Sequence, residues 1–424
     1  MYRRTVFRVL VAVPAALLGG IATVRSGAAP VAPSVTGMWQ VVPTASGLRD
    51  VARYGITALS PRDIWTVGAV HGIDGVIRPY TEHWDGDTWQ EMATPGPMGL
   101  QPPRPMNVGG GGGYAGDVLR LNAVAGTAAD DVWAVGNDQQ GDTHRALIMH
   151  WNGAQWETAP VPQSLDTFRV SLEAVVALAH DDAWAVGTYE TPGDRRDATA
   201  PLTLHWDGAQ WEMTPTPSAP APDGTPAAIR GQLRAVSATA RDDVWAVGAQ
   251  TTGGNASSPL ILHWNGARWD LAPAPGAGGV VGELRGVSDN GRCDAWAVGV
   301  PDAGKQPLVL RGNGAAWQTI TVPDVPGSLA RLVAVAALAP DDVWAVGSSS
   351  TFKLIEDIYQ EKAKLVVYHW DGAAWVTVFP PVPDFRVVFG SGGPTALAVA
   401  SPTDIWVLGE FEDARYLRYT APSP

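Results

Sequence analysis

The chain has 424 residues, 46% hydrophobic and 17% charged, which is ample material for a sizeable core. Its 42 acidic against 29 basic residues leave a net charge of −13, which repels a phosphate backbone and argues against nucleic-acid binding. The single cysteine, Cys293, excludes an intrachain disulfide, while 48 Gly and 35 Pro favour short strands and turns over long helices.

Arg3 and Arg4 lead an apolar run from Val6 to Val24, interrupted by Arg8 and Pro14, and Ser26-Gly27-Ala28-Ala29 precede Pro30. A basic start, an apolar middle and a small-residue exit describe a secretory signal peptide over residues 1–29, followed by a folded domain over 30–424. The paired arginines also fit a twin-arginine signal, and an uncleaved anchor is the alternative. No other stretch is suited to spanning a bilayer. The expected location is therefore secreted or cell-envelope, without membrane contact once the signal is cleaved.

From residue 36 onward the sequence repeats, and internal repeats decide the fold before anything else does. The copies centre on Trp65, Trp133, Trp184, Trp245, Trp296, Trp344 and Trp406, at intervals of 48 to 68 residues. Two residues before each lies Asp63, Asp131, Asp182, Asp243, Asp294, Asp342 or Asp404. Three after each lies Gly68, Gly136, Gly187, Gly248, Gly299, Gly347 or Gly409.

Each copy parses into four strands. The first carries Gly or Ala at one column (Gly55, Ala123, Ala174, Ala235, Gly286, Ala334, Ala396), which implies crowded backbones. The second is the β-branched and aromatic VWAVG segment. The third ends in His-Trp in most copies, and the fourth starts at another Trp, so all 19 tryptophans fall on three columns. Asp85-Gly86, Asn152-Gly153, Asp207-Gly208, Asn265-Gly266, Asn313-Gly314 and Asp371-Gly372 join the third and fourth strands as hairpin turns. The seventh copy stops after Tyr416-Leu-Arg-Tyr419, and Gly37-Met-Trp39-Gln-Val-Val-Pro43 supplies the missing fourth strand.

The fold read from this pattern is all-β: a seven-bladed β-propeller of four-stranded antiparallel blades, the last closed by strands from both termini. First-to-second and third-to-fourth turns are short and share one end of the blades. The second-to-third and fourth-to-first connections share the other end and hold the variation. They include 93–117 with five consecutive glycines, 188–200, and 348–364, where 353–364 is read as a short helix.

DDVWAVG followed by HWDGAQW resembles the repeats of secreted bacterial β-propellers of the kelch-like and Asp-box-like kind. Asp207-Gly208-Ala-Gln-Trp211 is similar to a shortened Asp box, lacking the spacer residue and the preceding Ser or Thr. Such families include hydrolases, oxidases and lectins, so the resemblance implies a fold and transfers no catalytic residue.

The recurring Asp is read as structural, its carboxylate capping a tight turn. The recurring histidines are His83, His150, His205, His263 and His369, with Arg311 and Arg418 in the other two copies. Neighbouring sheets pack roughly 10 Å apart, and zinc sits about 2 Å from its ligands. These histidines therefore share no ion and are read as ties from blade to blade. No metal or cofactor is expected. In the fifth copy Arg311-Gly312 replaces His-Trp, which leaves either a pocket beside Arg311 or a gap closed by Leu308 or Leu310.

Candidate binding residues gather on the variable loops: His71, Asp74, Arg78, Asp138, Asp142, His144, Arg145, Tyr189, Asp194, Arg195, Arg196, Tyr359 and Glu412. Arg195-Arg196 is suited to clamping a carboxylate or phosphate, or is ordinary solvated charge. No catalytic or nucleotide-binding motif is present. The first strands are read as lining the channel with Gly, Ala and Val, Asp289 excepted, which counts against a pair of hydrolytic acids. The functional reading is an exported, monomeric, non-enzymatic binding module presenting variable loops to a glycan or an extracellular or envelope protein. The alternatives are a glycan-active hydrolase or lyase with acids at the channel mouth, and a purely structural scaffold.

Overall fold

The computed structural model describes residues 37–45, 51–72, 75–95, 118–140, 143–166, 168–190, 199–220, 226–251, 257–275, 281–291, 294–302, 304–314, 316–325, 329–355, 358–380, 385–387, 393–411 and 414–422. Contacts separate Met1–Ser34 from a compact unit, Val35–Pro424, which holds every described strand. Among the described residues the only helical turn is Gln163–Leu165.

Each sequence copy folds as an antiparallel four-stranded meander. In the third copy Arg169–Ala179, Asp182–Glu190, Thr199–Trp206 and Trp211–Met213 pair in that order. The first two copies are joined into one eight-stranded sheet by a single parallel pair, Ile77 with Val118. The sixth copy carries an added strand, Phe385–Val387. Its 353–364 segment is not the helix read from the sequence. Asp342–Ile355 and Ile358–Trp370 form one long hairpin, paired out to Ile355 and Ile358. Extending two existing strands satisfies each backbone N–H and C=O through the ladder already begun.

The last sheet is completed as expected. Met38–Val42 pairs with Ala414–Thr420, and Trp39 stands opposite Tyr419. First strands touch in succession, from Val51–Ser60 through Val118–Ala128, Arg169–Ala179, Gly231–Ala240, Gly282–Asp289 and Leu329–Ala339 to Gly393–Ser401, and the last touches the first. The Gly/Ala column sits at these contacts. A Cβ on Gly55 would lie 2.8 Å from the Cα of Ala123, and one on Gly286 would lie 3.0 Å from the Cα of Ala334.

Between the sheets the tryptophans interlock. Except where Gly312 or Tyr419 stands at the third-strand column, the second-strand Trp of one copy meets the third- and fourth-strand Trp residues of the next. Trp133 lies 4.9 Å from Trp206 and 5.2 Å, edge-on, from Trp211. Trp184 repeats this with Trp264 and Trp269, and Trp406 with Trp84 and Trp89 across the closure. Such large rings bury much apolar area and hold preferred edge-to-face geometry.

Every first strand carries a β-bulge beside the Gly/Ala column, so that Tyr54, Asn122, Glu173, Arg234, Arg285, Val333 and Thr395 are extra residues. This accounts for the glycine after each VWAV. A Cβ on Gly136 would fall 1.9 Å from the Arg120 carbonyl oxygen, and one on Gly187 would fall 2.0 Å from that of Ser171.

Candidate functional site

The recurring Asp and His turn out to serve their own sheet. His150 Nε2 lies 2.8 Å from Asp131 Oδ1, and the imidazole packs on Trp133 with ring centroids 4.3 Å apart. The same arrangement joins Asp63 to His83, Asp182 to His205, Asp243 to His263 and Asp342 to His369. Arg311 and Arg418 take the place of histidine, donating to Asp294 and Asp404. The carboxylate therefore reaches the third strand instead of capping a turn, and the histidine ties two strands of one sheet instead of two blades. Antiparallel pairing dictates this, because it sets Trp133 directly opposite His150. Among the described residues no group of three metal-ligating side chains converges.

The turn-capping role belongs to the Asp or Asn of the hairpin. Asp207 Oδ1 accepts from the N–H groups of Ala209 and Gln210 at 2.8 Å each, and Gly208 follows with φ +93°. The same bonds from Thr88 and Asp87 hold the Asp85 carboxyl down at about 2. The repeated Asp–His and Asp–Arg pairs and the turn residues are thus engaged with one another within each sheet.

In the fifth copy Arg311 bonds to Asp294 at 2.7 Å and lies over the Trp296 ring at 4.8 Å. The Trp317 ring would stand 3.0 Å from a Cβ added at Gly312. Cys293 lies outside the described residues.

The variable end gathers residues from both long connections. A cleft of about 470 Å³ is lined by Tyr189 and Ala200 of the second-to-third connection and by Met213, Pro215, Pro217 and Ile229 of the fourth-to-first one. Tyr189 is held by Phe168, edge to face at 5.2 Å. His71 is exposed at the end of its strand, and Arg78 donates to the Val76 carbonyl at 3.4 Å. Asp138 and Arg145 lie opposite each other in one hairpin, with His144 beside them. Tyr359 lies opposite Leu354 in the sixth-copy hairpin. Asp74, Asp142, Asp194, Arg195, Arg196 and Glu412 lie outside the described residues.

Several first strands carry charged residues at their starts, at the same end. Arg234 Nε lies 2.6 Å from Glu283 and its Nη1 3.4 Å from Glu173, so one guanidinium spans two neighbouring sheets. Arg285 adds a bond to Glu283 at 3.0 Å. Arg120 differs from these. Its Nε donates to Asn137 at 3.0 Å and its guanidinium sits 5.9 Å from the Tyr54 ring centroid, and it meets no carboxylate among the described residues. Asn137 is buried and is also approached by Asn122, at 3.4 Å, which further anchors to the Leu172 carbonyl at 2.8 Å. Burial raises the Tyr54 hydroxyl, Arg120 opposing and Glu410 adding to the effect.

Asp289, the acid noted from the sequence, sits at the opposite end. Its carboxylate accepts from Ser237 at 2.5 Å and Thr239 at 2.9 Å, and burial raises its pKa despite both bonds, with Asp243 adding to the rise. The bulge explains why these charged residues escaped a reading by strict alternation, since the extra residue breaks it. The readable signal was the run of glycines that the bulge requires.

No family model matches the chain, and no curated protein does so either. Among solved structures it is similar to YCF48 bound to D1 peptide, with 14% identity and a TM-score of 0.51 over 91% of this chain and 97% of that one. A fucose-specific lectin from Aleuria aurantia shares 11% identity, with a TM-score of 0.41 over 81% of this chain and 96% of the lectin. The β-propeller domain of the trilobed protease from Pyrococcus furiosus shares 9% identity, with a TM-score of 0.46 over 88% of this chain and 97% of that domain. The likeness is one of fold. This is a β-propeller built from repeated four-stranded antiparallel units.

Proposed function

We propose that the protein is an exported, monomeric, non-enzymatic binding module. Its fold is a seven-bladed propeller closed by strands from both ends of the folded unit, and its variable end recognises a glycan or an extracellular or envelope protein. The observation that carries this reading is the division of labour between the two kinds of residue. Repeated Asp and His side chains pair with each other inside the sheets, whereas the variable end holds a cleft with Tyr189 in its wall and an arginine, Arg120, that meets no carboxylate among the described residues. Rigid scaffolds commonly place recognition on their loops in this way. Tyr189 offers a ring for stacking, and Arg120 offers two terminal nitrogens that donate to nothing among the described residues.

Glu173 and Glu283 are the acids that a hydrolase reading would use. Arg234 lies between them and bonds to both, so neither has the apolar setting that makes a carboxyl a proton donor.

Screening the mature chain on glycan and peptide arrays tests the proposal. Binding should weaken in Arg120→Ala by about tenfold or more, the scale of one hydrogen bond to a charged group, when measured well below the variant's own thermal midpoint. Turnover of an arrayed glycan that disappears in Glu173→Gln or Glu283→Gln would replace binding with catalysis. Export is checked by the N-terminal mass of secreted protein, where retention of residues 1–29 would contradict it. Light scattering checks the monomer.

A further inference from the structure

The contact that closes the ring differs chemically from those that precede it. In the five interfaces from the first copy to the sixth, four columns hold no charged residue and, Tyr368 apart, only apolar ones. The first-strand column holds Leu121, Leu172, Leu233, Leu284 and Leu332, and the second-strand column holds Ala134, Ala185, Ala246, Ala297 and Ala345. The two third-strand columns hold Leu147 with Met149, Leu202 with Leu204, Leu260 with Leu262, Leu308 with Leu310, and Val366 with Tyr368.

Where the first copy meets the seventh, all four columns become polar at once, as Arg53, Thr66, Tyr80 and Glu82. Arg53 and Glu82 are 3% and 0% exposed, joined by bonds of 2.7 and 2.9 Å. Tyr80 donates to Glu82 at 2.8 Å. From the seventh copy, Tyr416 reaches across to donate to Glu82 at 2.5 Å and meets the Thr66 hydroxyl at 2.9 Å. Burial would raise the Glu82 carboxyl, but the bonds from Arg53, Tyr416 and Tyr80 bring it below its ordinary value.

A buried ion pair adds little stability over well-packed apolar residues, yet leaving one partner unmet is costly. Such a cluster is poor as glue and good as a selector. We infer that Arg53, Thr66, Tyr80, Glu82 and Tyr416 form a recognition code for ring closure, so that the seventh copy docks on the first copy of its own chain and on no other sheet face. The stacking faces of a tandem repeat are near-equivalent. An apolar first-copy face would accept any copy's second-strand tryptophan, including that of another molecule, and the result would be domain-swapped oligomers. Without Tyr416, buried Glu82 loses one of its donors and the Thr66 hydroxyl loses the group that meets it across the closure.

The test replaces the code with the consensus of the other interfaces in the full chain: Arg53→Leu, Thr66→Ala, Tyr80→Leu, Glu82→Leu and Tyr416→Ile together. The expected variant keeps or raises the monomer's thermal midpoint. On refolding from urea it gives a dimer and oligomer fraction that grows with protein concentration, whereas wild type returns as monomer over the same range. Size-exclusion chromatography with light scattering reads the outcome. A variant that refolds to monomer as cleanly as wild type overturns the inference. So does one that fails to fold, which would make the cluster a source of stability. Glu82→Leu alone keeps the question open to measurement in a second way. It should lower the midpoint steeply, and adding Arg53→Leu should recover most of the loss. Additive losses would contradict a selector.

Discussion

Asp131 shows how a recurrent residue acquires its value. Burial would raise its carboxyl, but hydrogen bonds from Thr127 and His150, with the fields of His150 and His180, bring it below the ordinary 3.8. A depressed folded value means that the stabilisation is complete above the unfolded value and fades as pH falls through the folded one. Asp131→Asn should therefore cost about 1–3 kcal/mol at neutral pH, the scale of a charge-assisted bond. The gap between its urea midpoint and that of wild type should begin to close as pH falls below about 4. A constant gap across that range would contradict the assignment. The recurrence of Asp and His was plain in the sequence, and a structural role followed from sevenfold repetition. Their partnership was not legible, because residues 19 apart meet only once the strand register is known.

At the scale of the element, the first strand is the least regular and the most informative. Its bulge obliges a glycine on the neighbouring strand, so Gly136→Ala should destabilise the unit by about 3 kcal/mol or more, at or beyond the upper range for overpacking. Gly153→Ala meets a left-handed φ of +89° and a Cβ contact of 2.8 Å with the side chain of exposed Asp130, where the turn can shift, and should cost about 1–2 kcal/mol. Chemical denaturation separates the two, and equal losses would refute the bulge as the cause. Strand order, hairpin turns and the tryptophan columns could be read from spacing alone. The long sixth-copy hairpin could not, because 353–364 alternates too weakly to distinguish an extended strand from a helix. The charged starts of the first strands were hidden for a related reason, since a bulge adds one residue and shifts the alternation that identifies a face.

For the whole molecule, closure depends on five residues, Met38–Val42, pairing with the chain's last strand. Removing residues 1–43 should leave Ala414–Thr420 as an open edge, lower the thermal midpoint and promote aggregation. A synthetic peptide of residues 37–45 added in excess should restore part of the loss, and an unaffected truncation would show that the ring closes by other means. The two scales meet in the candidate site. Which end of the ring varies could be told from loop lengths, because a meander assigns its connections to ends. Which residues there are free to bind could not, since that depends on what the frame has already engaged. His71 and Tyr189 were visible as loop residues, whereas Arg120 became notable only when Arg234 and Arg285 proved to be paired.

The indoles that fill the interfaces are also chromophores. Rings about 5 Å apart and nearly perpendicular, such as Trp133 and Trp211 at 5.2 Å and 88°, couple their excited states. The Trp184–Trp269 and Trp296–Trp375 pairs repeat this orientation, at 89° and 85°. Edge-on pairs also join Trp65 to Trp156, Trp245 to Trp317 and Trp406 to Trp89, whereas Trp344 meets Tyr419 at a tilt of 45°. Loss of these contacts on unfolding is expected to change the aromatic circular dichroism, and a scan through the thermal transition reads it.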